Sequence, residues 1–135
     1  MAKKIIPVSA AIICSPKHRI LFAQRKSTDP YLPLLWEFPG GKMESGESPE
    51  EALSREIQEE FDLKINVEKA FLEVMHEYEF AKIHLHSFLC SSQSETVQCN
   101  DHESFLWWEK KKAQNLNFAP ADIPIFKALF STNWP

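Results

Sequence analysis

Between Gly41 and Leu63 the chain reads GKMESGESPEEALSREIQEEFDL, which sets Glu47, Arg55, Glu56, Glu59 and Glu60 at fixed offsets on a turn and the helix after it. At about 100° per residue, Glu56, Glu59 and Glu60 share an arc of ~100° that abuts the apolar stripe of Leu53 and Ile57. Three carboxylates crowded beside a buried face repel one another, and cations among them relieve that repulsion. Mg²⁺ and Mn²⁺ take oxygen ligands and bridge readily to phosphates. The chemistry on offer is therefore metal-assisted attack on a polyphosphate. A solvated acidic face explains the pattern less well. Arg55 can pair with Glu59, but Glu56 has no basic residue three or four positions further on.

The helix that carries these groups is marked at both ends. Ser48 can N-cap it, Pro49 suits its first position and Glu51 completes a capping box. Leu53, Ile57 and Phe61 form its buried stripe, and it is expected to end near Asp62 in the left-handed conformation that more often calls for glycine. Upstream, Ile5 to Cys14 and Ile20 to Gln24 read as strands joined by a turn at Pro16-Lys17-His18. Arg25 to Trp36 has no period and reads as a loop. Glu37-Phe38-Pro39-Gly40-Gly41 reads as a turn whose glycines permit positive φ and close approach of backbone to a ligand. Downstream, strands are expected near Ala70 to Met75, Lys82 to Cys90 and Phe105 to Glu109. Asp122 is placed to cap a final helix with Ile123, Phe126 and Phe130 inward. One mixed α/β domain over 1–135 is the simplest organisation.

Composition narrows the function classes. The chain has 135 residues, 44% hydrophobic, with a net charge of −4 and no polybasic tract. That argues against non-specific nucleic-acid binding, which relies on neutralising many phosphates. No stretch is long and apolar enough to span a bilayer. The basic, then apolar N-terminus is interrupted by Pro7 and Ser9 and reads as a strand, so a cytoplasmic location is expected. Three cysteines without a C-x-x-C pair argue against a disulfide framework or a cysteine-held zinc site, and Cys14 and Cys90 read as buried small hydrophobes.

Gly41, Glu47, Arg55, Glu56, Ile57, Glu59, Glu60 and Leu63 fall in register with the Nudix box, with Asp62 where that box usually has glycine. LLWEFPGGKMESGESP resembles the MutT branch, and FAPADIPIF resembles the base-pocket segment of MutT-type enzymes and of the related CTP pyrophosphohydrolases. The resemblance implies an α/β/α sandwich with a mixed sheet between helices. It implies that Glu56, Glu59 and Glu60 hold metal, with a carbonyl of Gly40 or Gly41, and that one of these glutamates or Glu47 orients or deprotonates the attacking water. Arg55 resembles the family arginine that ties the helix to its loop. MutT-type enzymes add a carboxylate six residues before a tryptophan. Counting back from Trp107 gives Asp101, with Glu103 next in line and a plain turn residue equally compatible.

Other positions follow from the same resemblance. Arg25 and Lys26 match a basic pair that contacts substrate phosphate, and Tyr31, Glu37 and Phe38 match the nucleotide pocket, although Phe38 also suits a core. Asp122 stands where MutT has an asparagine that reads oxidised guanine. An ionised carboxylate only accepts hydrogen bonds, which leaves the base open. His84 and His86 share a strand face, but with no third ligand in view they read as exposed or pocket-wall imidazoles. Lys110 to Lys112 read as a solvated turn, and Trp107 and Trp108 point to opposite faces.

The implied activity is a Mg²⁺-dependent (or Mn²⁺-dependent) nucleoside triphosphate pyrophosphohydrolase, releasing nucleoside monophosphate and pyrophosphate. The expected substrate is 8-oxo-dGTP, which gives a role in cleaning the nucleotide pool. CTP or 5-methyl-dCTP is the alternative. A non-catalytic module that reads 8-oxoguanine or senses a nucleotide is a third, disfavoured by the intact box carboxylates. The expected partner is the nucleotide alone, with no stable nucleic-acid or membrane binding and a monomeric state.

Overall fold

In a computed structural model that describes residues 3–134, the strand Ile5–Cys14 (β1) lies at the centre of the sheet. It pairs antiparallel with β2 (Ile20–Gln24) and β4 (Gly40–Lys42), and parallel with β6 (Lys82–Ser92) from Ile5↔Lys82 to Cys14↔Ser91. β3 (Trp36–Glu37) and β7 (Ser104–Trp108) both pair antiparallel with β2, and β5 (Ile65–Glu77) pairs antiparallel with β6. Alternation along β1 feeds two cores. Ala10 and Ile12 face one side with Phe22 and Leu85, and Ala11 and Ile13 face the other with Leu21 and Phe88.

Each core is closed by a helix. α1 (Pro49–Phe61) buries Leu53, Ile57 and Phe61 completely against one face. Each such side chain contributes about 1.5–3 kcal/mol. α2 (Ile123–Phe130) closes the opposite face with Ile125, Phe126 and Leu129. The result is the expected α/β/α sandwich with a mixed sheet. Ser48 forms the capping box with Glu51, and Asp62 ends α1 at φ 50°. Trp107 packs towards the α1 core and Trp108 towards the α2 core.

Several expectations are corrected. Glu37 to Gly41 is not a free turn, since β3 and β4 flank Phe38-Pro39, and neither Gly40 nor Gly41 has positive φ; Gly46 does, at 85°. In α2, Ile123 and Phe130 are exposed while Ile125 and Leu129 are buried. With most of this helix apolar, two stripes satisfy the helical period, and only contact with the sheet selects one. Asp122 does not cap α2 through its side chain, which is turned inward to the backbone N–H of Phe38. Lys110 is no solvated turn residue: its Nζ donates to the carbonyls of Leu129, Thr132 and Trp134 and so caps the C-terminal end of α2.

Candidate active site

The capping box aims α1 so that Arg55 reaches back to the loop before it. Its Nε and Nη2 donate to Glu47 at 2.7 and 2.9 Å, and Nη1 donates to Glu56 at 3.0 Å and Glu59 at 3.3 Å. Nη2 also reaches the Lys42 carbonyl at 3.3 Å, which ties the helix to β4. Both Glu47 oxygens are thereby engaged, one of them also by the Glu44 N–H. The Arg55 guanidinium and that N–H hold the Glu47 carboxyl down at about 2. Glu56 is driven the other way: burial, and then the neighbouring Glu59 and Glu60, raise it against the opposing pull of Arg55.

A cavity of about 550 Å³ opens beside α1, and Glu56, Glu60, Gly40, Gly41, Lys26 and Asp101 face it. Glu59 does not; its side chain is 61% exposed. Asp101, also exposed, pairs with Lys26 at 3.5 Å across the mouth, while Glu103 accepts from the Ser27 N–H at 3.0 Å. Glu60 Oε2 is buried without a hydrogen-bond partner. A Cβ on Gly41 would fall 2.5 Å from the Glu56 carboxyl carbon, so the missing side chain is the room this carboxylate occupies. An orphaned buried acceptor beside a second, crowded carboxylate fits a hard divalent cation.

A second cavity, of about 500 Å³, lies on the α2 side of the sheet and shares Arg25, Glu37, Gly40 and Gly41 with the first. Its rim carries Tyr31 stacked on Phe80 at 4.2 Å, and Phe80 stacked on Tyr78 at 5.1 Å. Asp122 sits at its inner wall, 6% exposed, and accepts from the Phe38 N–H at 2.9 Å. Burial and the nearby Glu37 carboxylate push the Asp122 carboxyl well above the usual range. That shift favours the protonated form, in which an acid has a donor as well as an acceptor, against the pull of the Phe38 N–H and Arg25 towards the carboxylate. The Phe38 ring packs with Phe22 and Phe118 in the core, so its backbone, more than its ring, serves the pocket.

One chain of charges joins the cavities. Arg25 donates to Glu37 at 2.8 Å and to Asp29, and Glu37 Oε2 lies 2.9 Å from His102 Nε2. His102 Nδ1 is 3.4 Å from Glu60 Oε2, yet neither atom finds a well-aligned hydrogen bond. Burial acts against the charged imidazole, but Glu37 and Glu60 override it and raise His102 to about 9. Sequence reasoning missed His102, Tyr78 and Phe80. A signal existed for His102, which directly follows Asp101, and the aromatic spacing of Tyr78 and Phe80 was visible but uninformative without the cavity.

The NUDIX domain family profile matches residues 4–129. The chain belongs to the Nudix family. It is 36% identical over 128 residues to a CTP pyrophosphohydrolase of Escherichia coli, covering 95% of this chain and 93% of that protein. It is 30% identical over 131 residues to an 8-oxo-dGTP diphosphatase of Haemophilus influenzae, covering 97% and 96%. Among solved structures, MutT from methicillin-resistant Staphylococcus aureus superposes with a TM-score of 0.74 at 40% identity, covering 96% of this chain and 99% of that one. Nudix hydrolases depend on divalent metal ions, and the oxygen donors gathered on α1 are of the type such ions take. Among the described residues no helix is long and apolar enough to cross a membrane.

Proposed function

We propose that this chain is a Mg²⁺-dependent nucleoside triphosphate pyrophosphohydrolase of one domain, acting on 8-oxo-dGTP and releasing the monophosphate and pyrophosphate. The observation that carries the reading is the pair of joined cavities: one carboxylate-lined, the other aromatic-rimmed with the buried Asp122 at its inner wall. Glu56, Glu60 and a carbonyl of Gly40 or Gly41 are the proposed metal donors, with Asp101 at the mouth and Glu59, which points to solvent, turning inward to complete the set. When bound, Mg²⁺ supplies charge neutralisation and a more acidic water. Arg25 and Lys26 receive the phosphates, and Glu56 or Glu59 serves as the base. Glu47, with both oxygens on Arg55, braces α1 instead.

In the protonated form that burial favours, Asp122 offers an O–H donor and a carbonyl acceptor, the same pair an asparagine amide offers. The O6 and N7–H edge of 8-oxoguanine complements that pair, whereas unmodified guanine presents two acceptors there. The N3 and N4 amino edge of cytosine complements it too. A second reading, CTP or 5-methyl-dCTP as substrate, is favoured by the stronger full-length likeness to a CTP pyrophosphohydrolase. The net charge of −4 supports an enzyme that meets its anion through a cation, working as a cytoplasmic monomer free of nucleic acid.

The test is turnover of 8-oxo-dGTP, dGTP, CTP and 5-methyl-dCTP with Mg²⁺, with products separated by chromatography. Pyrophosphate and monophosphate from 8-oxo-dGTP in excess over dGTP are expected, with loss of turnover but not of fold in Glu60→Gln. Faster turnover of the cytosine nucleotides selects the second reading. No pyrophosphate from any of the four rejects both.

A further inference from the structure

Away from both cavities, β5 and β6 bring together Glu73, His84 and His86, whose ligand atoms lie within 4.8 Å of one another. They form the one such group of three among the described residues. We propose that Glu73, His84 and His86 form a second metal site, selective for a borderline transition-metal ion of the Zn²⁺ class.

The site is built into the sheet. His84 and His86 are two apart on β6, so their rings emerge from one face, with centroids 4.1 Å apart. Glu73 sits directly opposite His86 in the antiparallel register. That register follows an irregularity between Ala70 and Glu73, and a bulge of this kind re-aims the side chains after it. The buried Ser87 hydroxyl pins the bulge: it accepts from the Leu72 N–H at 3.0 Å and donates to the Leu72 carbonyl at 2.7 Å. The same hydroxyl thereby holds Glu73 across from His86.

Through one carboxylate oxygen or the other, Glu73 comes near tetrahedral ligand spacing to each imidazole, and the three ligand atoms lie within 4.8 Å of one another. Metal–nitrogen and metal–oxygen bonds of about 2.05 Å put neighbouring tetrahedral ligands about 3.3 Å apart. Glu73 Oε1 is 3.1 Å from His86 Nδ1, and Glu73 Oε2 is 3.6 Å from His84 Nε2. The Glu73 side chain is 67% exposed and the imidazoles 32% and 17%, so an ion can enter from solvent and keep a fourth position for water. Two imidazoles and one carboxylate suit Zn²⁺, Ni²⁺ or Cu²⁺ and reject Mg²⁺, which takes oxygen ligands. Two classes of ion are thus sorted within one small protein, since the α1 cavity offers carboxylates and carbonyls with a single imidazole, His102, which is engaged by Glu37.

The two sites stand close together. Across β4, β1, β6 and β5 the register runs Gly41, Ser9, His86, Glu73 on the α1 face of the sheet. At about 4.8 Å per strand, His86 lies about 10 Å from Gly41. Neither histidine lines either cavity, so the ion would be a neighbour of the active site and no part of it.

The experiment uses tag-free full-length protein in saturating Mg²⁺, titrated with Zn²⁺ by calorimetry and with Co²⁺ by visible absorption. One equivalent should bind, with the intense d–d bands of a tetrahedral site. His84→Ala/His86→Ala should abolish it. Glu73→Gln should weaken it about tenfold or more, and this exposed position keeps the test open if the double variant fails to fold. Glu56→Gln and Glu60→Gln should retain the ion. Equal Zn²⁺ affinity in wild type and the histidine or Glu73 variants overturns the proposal, as does loss of the ion in the α1 variants with retention in the others.

Discussion

Gly41→Ala should stop the chemistry while leaving the fold standing. The added Cβ would lie 2.5 Å from the carboxyl carbon of Glu56 and 2.6 and 2.8 Å from its oxygens. Carbon contacts settle at about 3.5–4.0 Å, so the carboxylate must retreat by about 1 Å. Metal-ligand distances hold to within ~0.2 Å, and a reacting group misplaced by 1 Å loses on the order of 100-fold in rate. That corresponds to about 2.7 kcal/mol of transition-state stabilisation. The obstruction is the end of a flexible side chain, and alanine restricts the unfolded chain more than glycine does, so the melting temperature should hold or rise slightly. Gly40→Ala is the contrasting control. Its Cβ would meet the backbone carbonyl of Ser9 at 1.9 Å, which cannot move aside without parting β4 from β1, so stability itself should fall. The assay is kcat with Mg²⁺ on whichever nucleotide the wild type prefers, beside thermal melts of both variants. A Gly41→Ala enzyme with near-native kcat would refute the reasoning, because it would mean that the carboxylate seated over Gly41 takes no part.

His102 and Asp122 yield two further expectations. In chelator, His102 titrates near 9 when folded against ~6.5 unfolded. A raised pKa gives stability that is whole below the unfolded value and lost as pH climbs through the folded one. Urea melts of wild type should therefore lose up to ~3 kcal/mol between pH 6.5 and 9 that His102→Gln does not lose, and parallel curves for the two would contradict the pairing with Glu37 and Glu60. Asp122→Asn should keep kcat/KM within about tenfold on the preferred nucleotide and flatten its alkaline limb, since an amide keeps both donor and acceptor, whereas Asp122→Ala should lose about 100-fold by leaving the base edge unpaired. Asparagine performing as badly as alanine would mean that Asp122 works as a carboxylate.

What could be seen without coordinates was whatever depends on short offsets. Ser48, Pro49 and Glu51 specify the start of α1 within four positions, and Glu47, Arg55 and Glu56 meet across about two turns of helix and its loop, so the bracing of that segment was open to inspection. His102 lies 65 positions from Glu37, and no local pattern connects them. Asp122 shows the same limit in sharper form. A capping residue and a buried acid look identical in sequence; what separates them is the Phe38 N–H, 84 positions away, which the β3–β4 corner turns towards the base cavity. The glycines make the point physically. Gly40-Gly41 announces a need for small residues, and the ready explanation is unusual φ. The cause is occupancy: strand pairing puts the Ser9 carbonyl against Gly40, and α1 lowers Glu56 onto Gly41. Both intrusions come from segments folded against this pair from either side. Which glycine answers to stability and which to catalysis is therefore decided by the identity of the intruding atom, a backbone oxygen in one case and a titratable side chain in the other.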